Sequence, residues 1–459
     1  MIELGLSEIA ELTGGVLHGP DAQVTGTVVV DSRAAARGSL FVALRGENSD
    51  GHDHAPVAVA AGAAGVLGER PLEGLPTIVV RDSVEALGVL ARAVLRRLPE
   101  LTVIGVTGSS GKTSTKDLIA QVLARRGPTV APAGSFNNEI GHPLTVLRAD
   151  AGTRYLVLEK SARGIGHIAY LARIAPPDIG VVLNVGTAHL GEFGSQAVVA
   201  EAKGELVEAL TGQGTAILNA DDPLVRAMAA RTAAQIVLFG RVTDAAVRAT
   251  DEWYDEEGRA RFSLVTPEGT LPVTLRLHGA HAVSNALAAA AAARETGMPL
   301  HEIAEALSEA VQVSRWRMEV THREDGVTVV NDAYNANPES MRAALDAVGR
   351  LSRGRRSYAV LGAMAELGTA SVAEHEKIGQ HAARSGVTGL IAVGAAAAPL
   401  LEGARQVGSW TGECVQVDDV ATAAAVLGER LRPQDVVLVK GSRVAGLERL
   451  AQALLEDPA

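Results

Sequence analysis

The sequence predicts an α/β protein of three units, and three observations carry that prediction. Short β-branched runs alternate with Ala-rich amphipathic stretches along the chain, the pattern of parallel sheets with helices on both faces. The length, 459 residues, suits about three domains. Polar residues cluster directly after the apolar runs, at the carboxyl ends of the expected strands, where open α/β sheets bind ligands. The expected units are residues 1–98, an N-terminal α/β domain; 99–313, a central parallel-sheet domain; and 314–459, a smaller, doubly wound Rossmann-like domain.

Composition narrows the class. Hydrophobic residues make up 47% and charged residues 21%, enough for sizeable cores and too apolar for a disordered chain. Aromatics are only 3%, so those cores are built on Ala, Val, Leu and Ile. The net charge of −11 argues against nucleic acid as a partner, because a phosphate backbone calls for clustered Lys and Arg. It leaves nucleotides open, since they need only a local site. Cys414 is the single cysteine, which excludes an intrachain disulfide and a cysteine metal cluster. The start, Met1-Ile2-Glu3-Leu4-Gly5-Leu6, lacks the basic and long apolar regions of a signal peptide. No uncharged apolar run reaches the ~18 residues of a membrane span. A soluble, cytoplasmic protein is expected.

In the first unit, residues 24–30 and 40–44 read as strands and 54–64 as a helix. The second unit opens with a β-branched run at 102–106. An expected helix over about 113–126 follows and stops at Gly127 and Pro128. Further strands are expected at 155–158, 180–185 and 215–218, with helical patterns between them. In the third unit, 327–330, 358–361, 390–393 and 436–439 read as strands. After the first of these, Asn337 suits an N-cap and Pro338 the first turn of the next helix.

The stretch with the most chemistry joins the 102–106 run to its helix. Thr107-Gly108-Ser109-Ser110-Gly111-Lys112-Thr113-Ser114 is a glycine-rich turn between strand and helix, the form of a nucleotide-phosphate cradle. Backbone N–H groups face anionic oxygens, Lys112 adds a point charge, and the Thr113 hydroxyl suits Mg²⁺. The strict phosphate-loop pattern asks for Gly at 106. Val106 stands there, and the early glycine is Gly108 instead.

The strand-end rule picks out further residues. Glu159 follows the 155–158 run and reads either as an exposed carboxylate or as a Mg²⁺ ligand. Residues 184–189 and 219–222 lie at two more strand ends. His189 in the first of these reads equally well as structural or as a phosphate neighbour. Lys203 lies in a helical pattern, where most lysines are simply solvated. Asn285 opens a long Ala-rich helix, as a cap or as an amide for an adenine edge.

Together these pieces resemble the Mur ligase family, the ATP-dependent amide-bond ligases of peptidoglycan-precursor synthesis, over essentially the whole chain. Residues 107–113 match that family's own T-G-x-x-G-K-[ST] loop, which accounts for the absent glycine at 106. The resemblance implies a UDP-sugar-binding domain at 1–98, a phosphate-loop ATPase domain at 99–313 and a Rossmann-like domain at 314–459. It implies Lys112, His189 and Lys203 as catalytic residues, and Thr113, Glu159, His189 and Lys203 as the surroundings of two Mg²⁺ ions. Lys203 would be carbamylated, since a carbamate presents anionic oxygens where an ammonium would repel a metal. ATP would be held by the loop from Thr107 to Ser114, with Asn285 on the adenine side, Arg317, and Asp332 on the ribose.

Several segments resemble the branch of the family that makes the last cytoplasmic addition. Asn331-Asp332-Ala333-Tyr334-Asn335-Ala336-Asn337-Pro338 resembles its signature, and Leu361–Gly368 and Lys440-Gly441-Ser442-Arg443 agree. The resemblance implies UDP-N-acetylmuramoyl-tripeptide and D-alanyl-D-alanine as substrates, joined through an acyl phosphate by a monomer. Ser32, Arg33, Asn137, Asn138, Tyr334, Asn335, Asn337, Lys440, Ser442 and Arg443 would contact them. Asp31-Ser32-Arg33, Phe41–Gly46 and Asp50-Gly51-His52 resemble the uridine-nucleotide domain of the late ligases. Two departures stand out: Lys160-Ser161 replaces the usual Met-Gly after the glutamate, and Ala363 stands where many members have an acid.

Competing readings are another amide ligase of the family, either amino-acid-adding or a folylpolyglutamate synthetase, and a non-catalytic nucleotide-regulated binder. The lack of an Asp-Asn-Pro-Arg acceptor motif argues against the amino-acid-adding member that precedes the last one. The 1–98 region argues against the synthetase. A mere binder would not need Lys112, Thr113, Glu159, His189 and Lys203 together. No side chain is a firm candidate for deprotonating the acceptor amine.

Overall fold

The computed structural model describes residues 1–187 and 190–456. Each of the three regions builds its own main sheet. In the first, strands Val28–Val29, Leu40–Val42, Gly65–Gly68 and Thr77–Val79 run parallel, and Val16–His18 adds an antiparallel edge. The expected strand over 24–30 is in fact two. Gln23–Val24 pairs with Leu4–Gly5, and Val28–Val29 joins the main sheet. Between them Gly26 passes so close to the Arg37–Ser39 backbone that a Cβ would lie 2.9 Å from Ser39 N. The expected helix at 54–64 shortens to Ala55–Ala60, entered through a 3₁₀ turn at Gly51–His54.

The central sheet has nine strands. Thr102–Thr107 lies between Tyr155–Glu159 and Ile179–Val182, with Thr215–Asn219 and Gln235–Gly240 beyond the latter. The chain therefore leaves Thr102–Thr107 to one side and returns on the other. That makes its carboxyl end a switch point of the sheet, where ligands bind. The sheet is not purely parallel, contrary to expectation. Val247–Tyr254, Arg259–Thr266 and Gly269–His278 extend it as an antiparallel meander. Alternate residues of these strands are buried, and the turns fall at Gly258 and just before Gly269. Period-2 burial of this kind favours a sheet with one wet face. Helix His281–Glu295 packs between this sheet and the helix Lys112–Ala124, and its run of buried alanines permits the close approach.

The third sheet has six strands. Glu319–His322 is an antiparallel edge, and Thr328–Asn331, Val436–Lys440, Ser357–Gly362, Gly389–Val393 and Glu413–Val417 follow in parallel. The expected strands recur here, each slightly longer or shifted. One buried aliphatic cluster joins the first unit to the central sheet, through Leu87, Leu90, Val103 and Leu156 among others. Among the described residues, no helix is long and apolar enough to cross a membrane.

Candidate active site

The phosphate loop sits at the switch point. Val106 is buried in the strand, so a glycine there would serve no purpose. Gly108 and Gly111 are where side chains cannot fit. A Cβ on Gly108 would lie 2.9 Å from Leu183 Cβ. One on Gly111 would lie 2.7 Å from Asn285 Oδ1, and Gly111 also has φ +80°, the left-handed region that favours glycine. Asn285 thus packs directly on the loop.

In this structure the loop is closed on its own partners. The Ser109 and Ser110 N–H groups both donate to Asn184 Oδ1 at 2.9 Å. Lys112 Nζ folds back onto the Gly108 carbonyl at 2.7 Å. The N–H groups free to receive an anion are those of the first turn of Lys112–Ala124, which have no intrahelical partner. Burial pulls the Lys112 ammonium below its usual range, while the Glu159 carboxylate works in the opposite direction.

Glu159 ends its strand, fully buried, paired across the sheet with Val106. Its Oε2 accepts from Ser135 Oγ and Asn137 Nδ2, both at 3.1 Å. Its Oε1 is buried with no partner. Ser135 Oγ in turn lies 3.4 Å from Thr113 Oγ1. An orphaned carboxylate oxygen beside the loop threonine is a costly state that a cation relieves. Among the described residues no three His, Cys, Asp or Glu side chains converge. A cation here would therefore draw on Glu159, Thr113, phosphate oxygens and water, the usual surroundings of Mg²⁺.

Lys203 lies in helix Gln196–Glu208, almost fully buried. Burial, then the charge of nearby Lys112, pushes its ammonium well below the usual lysine range. His189 lies outside the described residues.

Lys160 turns away from this site. Its Nζ donates to the carbonyls of Ala175 at 3.0 Å and Leu171 at 3.2 Å, at the C-terminal end of helix His167–Ile174, and meets His142 Nε2 at 3.3 Å. The departure after Glu159 thus leaves the surroundings of the Glu159 carboxylate undisturbed. Burial holds this lysine at about 7.

The third unit closes over the loop. Arg317 stacks on Tyr334, 4.1 Å from the ring centre, and donates to Thr113 Oγ1 at 3.2 Å. Asn337 caps helix Pro338–Ser352 and donates to the Ser109 carbonyl at 3.3 Å. Asp332 Oδ1 accepts from Met318 N at 3.0 Å, and Oδ2 pairs with Lys440 at 2.6 Å. Lys440 also donates to the Asn335 carbonyl at 2.9 Å, so its ammonium is spoken for. Ser442 bonds the 363–365 segment through Ala363 O and Ala365 N, keeping that loop in place despite the missing acid. Arg443 stacks on Trp316 and pairs with Glu448. Both units line one cleft of about 550 Å³, which includes loop residues Ser109 to Ser114, Asn137, Asn285, Arg317, Asp332, Tyr334, Asn335, Asn337, Lys440, Ser442 and Arg443.

Thr107, Gly108, Glu159 and Lys203 do not line this cleft, and three further expected residues lie elsewhere. Ser32 and Arg33 form an exposed 3₁₀ turn in the first unit, where Arg33 pairs with Asp31 at 2.7 Å. Asn138 does not line the cleft; its Oδ1 accepts from Gly141 N at 2.8 Å and fixes the entry to helix Gly141–Val146. The Asp50-Gly51-His52 turn is a closed network. Glu69 N donates to His52 Nε2, which leaves the proton on Nδ1 for Asp50, and His52 holds that carboxylate at about 2. Asp222, at another strand end, caps helix Pro223–Ala227 and accepts from Val185 N.

Sequence reasoning placed Ser135 only in a segment, residues 135–141, that resembles a substrate loop, and gave no role to His281 or Glu339. Ser135 bridges Thr113 to Glu159 and is legible only once two strand ends meet. His281 and Glu339 both line the cleft and each has a buried atom without a partner, Nδ1 and Oε2.

The chain matches three family models in order: the Mur ligase family catalytic domain at residues 26–102, the Mur ligase middle domain at 106–293, and the Mur ligase glutamate ligase domain at 316–443. It is 50% identical to the UDP-N-acetylmuramoyl-tripeptide--D-alanyl-D-alanine ligase of Mycobacterium tuberculosis, over 100% of this chain and 98% of that protein. The ligase of the same name from Escherichia coli is 36% identical over 100% and 99%. Among solved structures, a MurF from Acinetobacter baumannii is similar at TM-score 0.90 and 33% identity, covering 100% of both chains. The MurF ligase of Thermotoga maritima in complex with ADP is similar at TM-score 0.82 and 31% identity, covering 94% of this chain and 98% of that one. With relatives matched end to end and all three segments in order, the chain belongs to the Mur ligase family.

Proposed function

We propose that this chain is an ATP-dependent ligase that joins D-alanyl-D-alanine to UDP-N-acetylmuramoyl-tripeptide, giving the pentapeptide precursor of peptidoglycan. The observation that carries it is the buried, partnerless Glu159 oxygen next to Thr113, beneath a loop that Arg317 and Asn337 reach from the third unit. That arrangement supports phosphate binding, a cation and domain closure at one place. The names of the relatives matched over the full length supply the substrates.

The reaction has two steps. The tripeptide carboxylate attacks the γ-phosphorus of ATP, and ADP leaves. The dipeptide amine, as the free base, then attacks the acyl carbon and releases its proton to water, and phosphate leaves with the C–O electron pair. For the first step Lys112 exchanges the Gly108 carbonyl for a phosphate oxygen, and the free N–H groups of the helix start hold the charge that develops. Glu159 and Thr113 fit Mg²⁺, which when bound spreads the charge of the transferring phosphoryl group. Lys203 fits the carbamate reading. Its depressed basicity favours the neutral amine, the form that adds to carbon dioxide, and the anionic product would balance Lys112 and a second Mg²⁺. Asn285, Arg317 and Asp332 are assigned to the nucleotide, with Lys440 paired to the Asp332 carboxylate. Closure by the third unit keeps water from the acyl phosphate. Residues 1–98 are assigned to the UDP-sugar, 99–313 to ATP and 314–459 to closure and the acceptor. The enzyme is assigned to the cytoplasm and to a monomeric state.

The test is ADP release in the presence of the UDP-sugar tripeptide. Release that requires an amine and prefers D-alanyl-D-alanine to single amino acids supports the reading. Preference for a single amino acid overturns it.

A further inference from the structure

Glu339 is a charged group of the cleft with no task in the chemistry so far. It is the second residue of helix Pro338–Ser352, just after the Asn337 cap, so its backbone is fixed by the capping box with Ser340. Its Oε1 accepts from both the N–H and the hydroxyl of Thr187, at 2.9 and 2.8 Å, across the junction of the second and third units. Gly186 leaves room for this approach, since a Cβ there would lie 2.6 Å from Glu339 Cδ. Its Oε2 is buried and has no partner.

The location is specific. Gly186 N donates to Ser109 Oγ at 2.9 Å, and Asn337 donates to the Ser109 carbonyl. Glu339 therefore stands at the Ser109 side of the phosphate loop. Glu159 reaches the loop from the Thr113 side through Ser135. The two orphaned carboxylate oxygens thus lie on different sides of the phosphate loop. The first, beside Thr113, fits a divalent cation. The second already has its other oxygen saturated by Thr187 and belongs to the third unit.

We infer that Glu339 Oε2 accepts a charge-assisted hydrogen bond from the α-ammonium of the acceptor dipeptide, and so seats the acceptor beside the activated carboxylate. A buried carboxylate oxygen calls for a cationic donor, and the α-ammonium of the acceptor is one that the proposed reaction brings to this cleft. The inference rests on the functional reading above and adds to it the group that recognises the amine.

The test is Glu339→Gln with the full chain. The amide oxygen keeps the two Thr187 bonds, and an NH₂ replaces the oxygen that would face the ammonium. The KM for D-alanyl-D-alanine rises about tenfold or more, while those for ATP and the UDP-sugar tripeptide stay within about twofold. D-Lactoyl-D-alanine, with a hydroxyl in place of the ammonium, inhibits both proteins equally. An acceptor KM within about twofold of wild type overturns the inference. So does an equal loss of affinity for all three substrates, which would make Glu339 a latch between units. A raised Mg²⁺ requirement with an unchanged acceptor KM assigns the carboxylate to the metal instead and also overturns it. Wild-type enzyme that does not consume D-alanyl-D-alanine refutes the functional reading itself and takes the inference with it.

Discussion

Lys160→Met makes the chain more stable at neutral pH and less stable at high pH. The lysine is fully buried and held at about 7, against 10.5 when exposed. At about 1.4 kcal/mol per pH unit, that gap sets a ceiling of about 5 kcal/mol against the charged form. Between the two values the unfolded chain keeps a proton that the folded chain has lost. Stability therefore rises with pH across that window, and below it the penalty is complete and constant. Methionine removes the penalty but strips the Ala175 carbonyl and the buried His142 Nε2 of the lysine, at a combined cost of about 1–3 kcal/mol. The Leu171 carbonyl keeps Ala175 N as a partner. The variant is then more stable by up to about 2–4 kcal/mol at pH 7 and less stable by about 1–3 kcal/mol at pH 10.5. Urea unfolding of both proteins, followed by circular dichroism at several pH values, reads the difference directly. A difference that does not change with pH, or a variant less stable at pH 7, refutes the reasoning.

Three further outcomes follow from the site. Lys112→Ala abolishes ATP turnover, a loss of at least about a hundredfold in ADP release, because it removes the one side-chain charge in the loop. Unchanged turnover would sink the phosphate-loop assignment. Lys203→Ala loses activity by a similar factor of about a hundred and recovers part of it with added acetate or bicarbonate, which supply the missing anion; full activity without them contradicts the carbamate. Arg317→Met breaks the bridge from the third unit to Thr113 and raises the KM for ATP about tenfold. An unchanged KM would mean that the contact does not contribute to nucleotide binding.

What the sequence made legible was local or followed from strand ends. The phosphate loop announces itself because its glycines, lysine and threonine are neighbours in sequence, and Gly108 and Gly111 prove to be where side chains would collide. Glu159 was reachable because strand ends share one edge. Features set by distant neighbours were not legible. The direction of Lys160 depends on the end of a helix more than ten residues on and on His142. The pairing of Lys440 with Asp332 joins two strands of the third sheet, and it binds a lysine that the sequence had assigned to substrate. The Thr187–Glu339 contact exists only because two units dock. The antiparallel meander at 247–278 carried its own signal in period-2 alternation, with Gly258 at one turn and Gly269 just after the other. The break near Gly26 had no comparable signal, since the constraint comes from the backbone at Arg37–Ser39.

The central claim is that ATP activates the tripeptide carboxylate as an acyl phosphate. Carrying the tripeptide carboxylate with heavy oxygen through one round of synthesis tests it most directly. The account predicts that the inorganic phosphate released with each pentapeptide carries one labelled oxygen, transferred when the acyl C–O bond breaks. Phosphate free of label, with pentapeptide still formed, would contradict it.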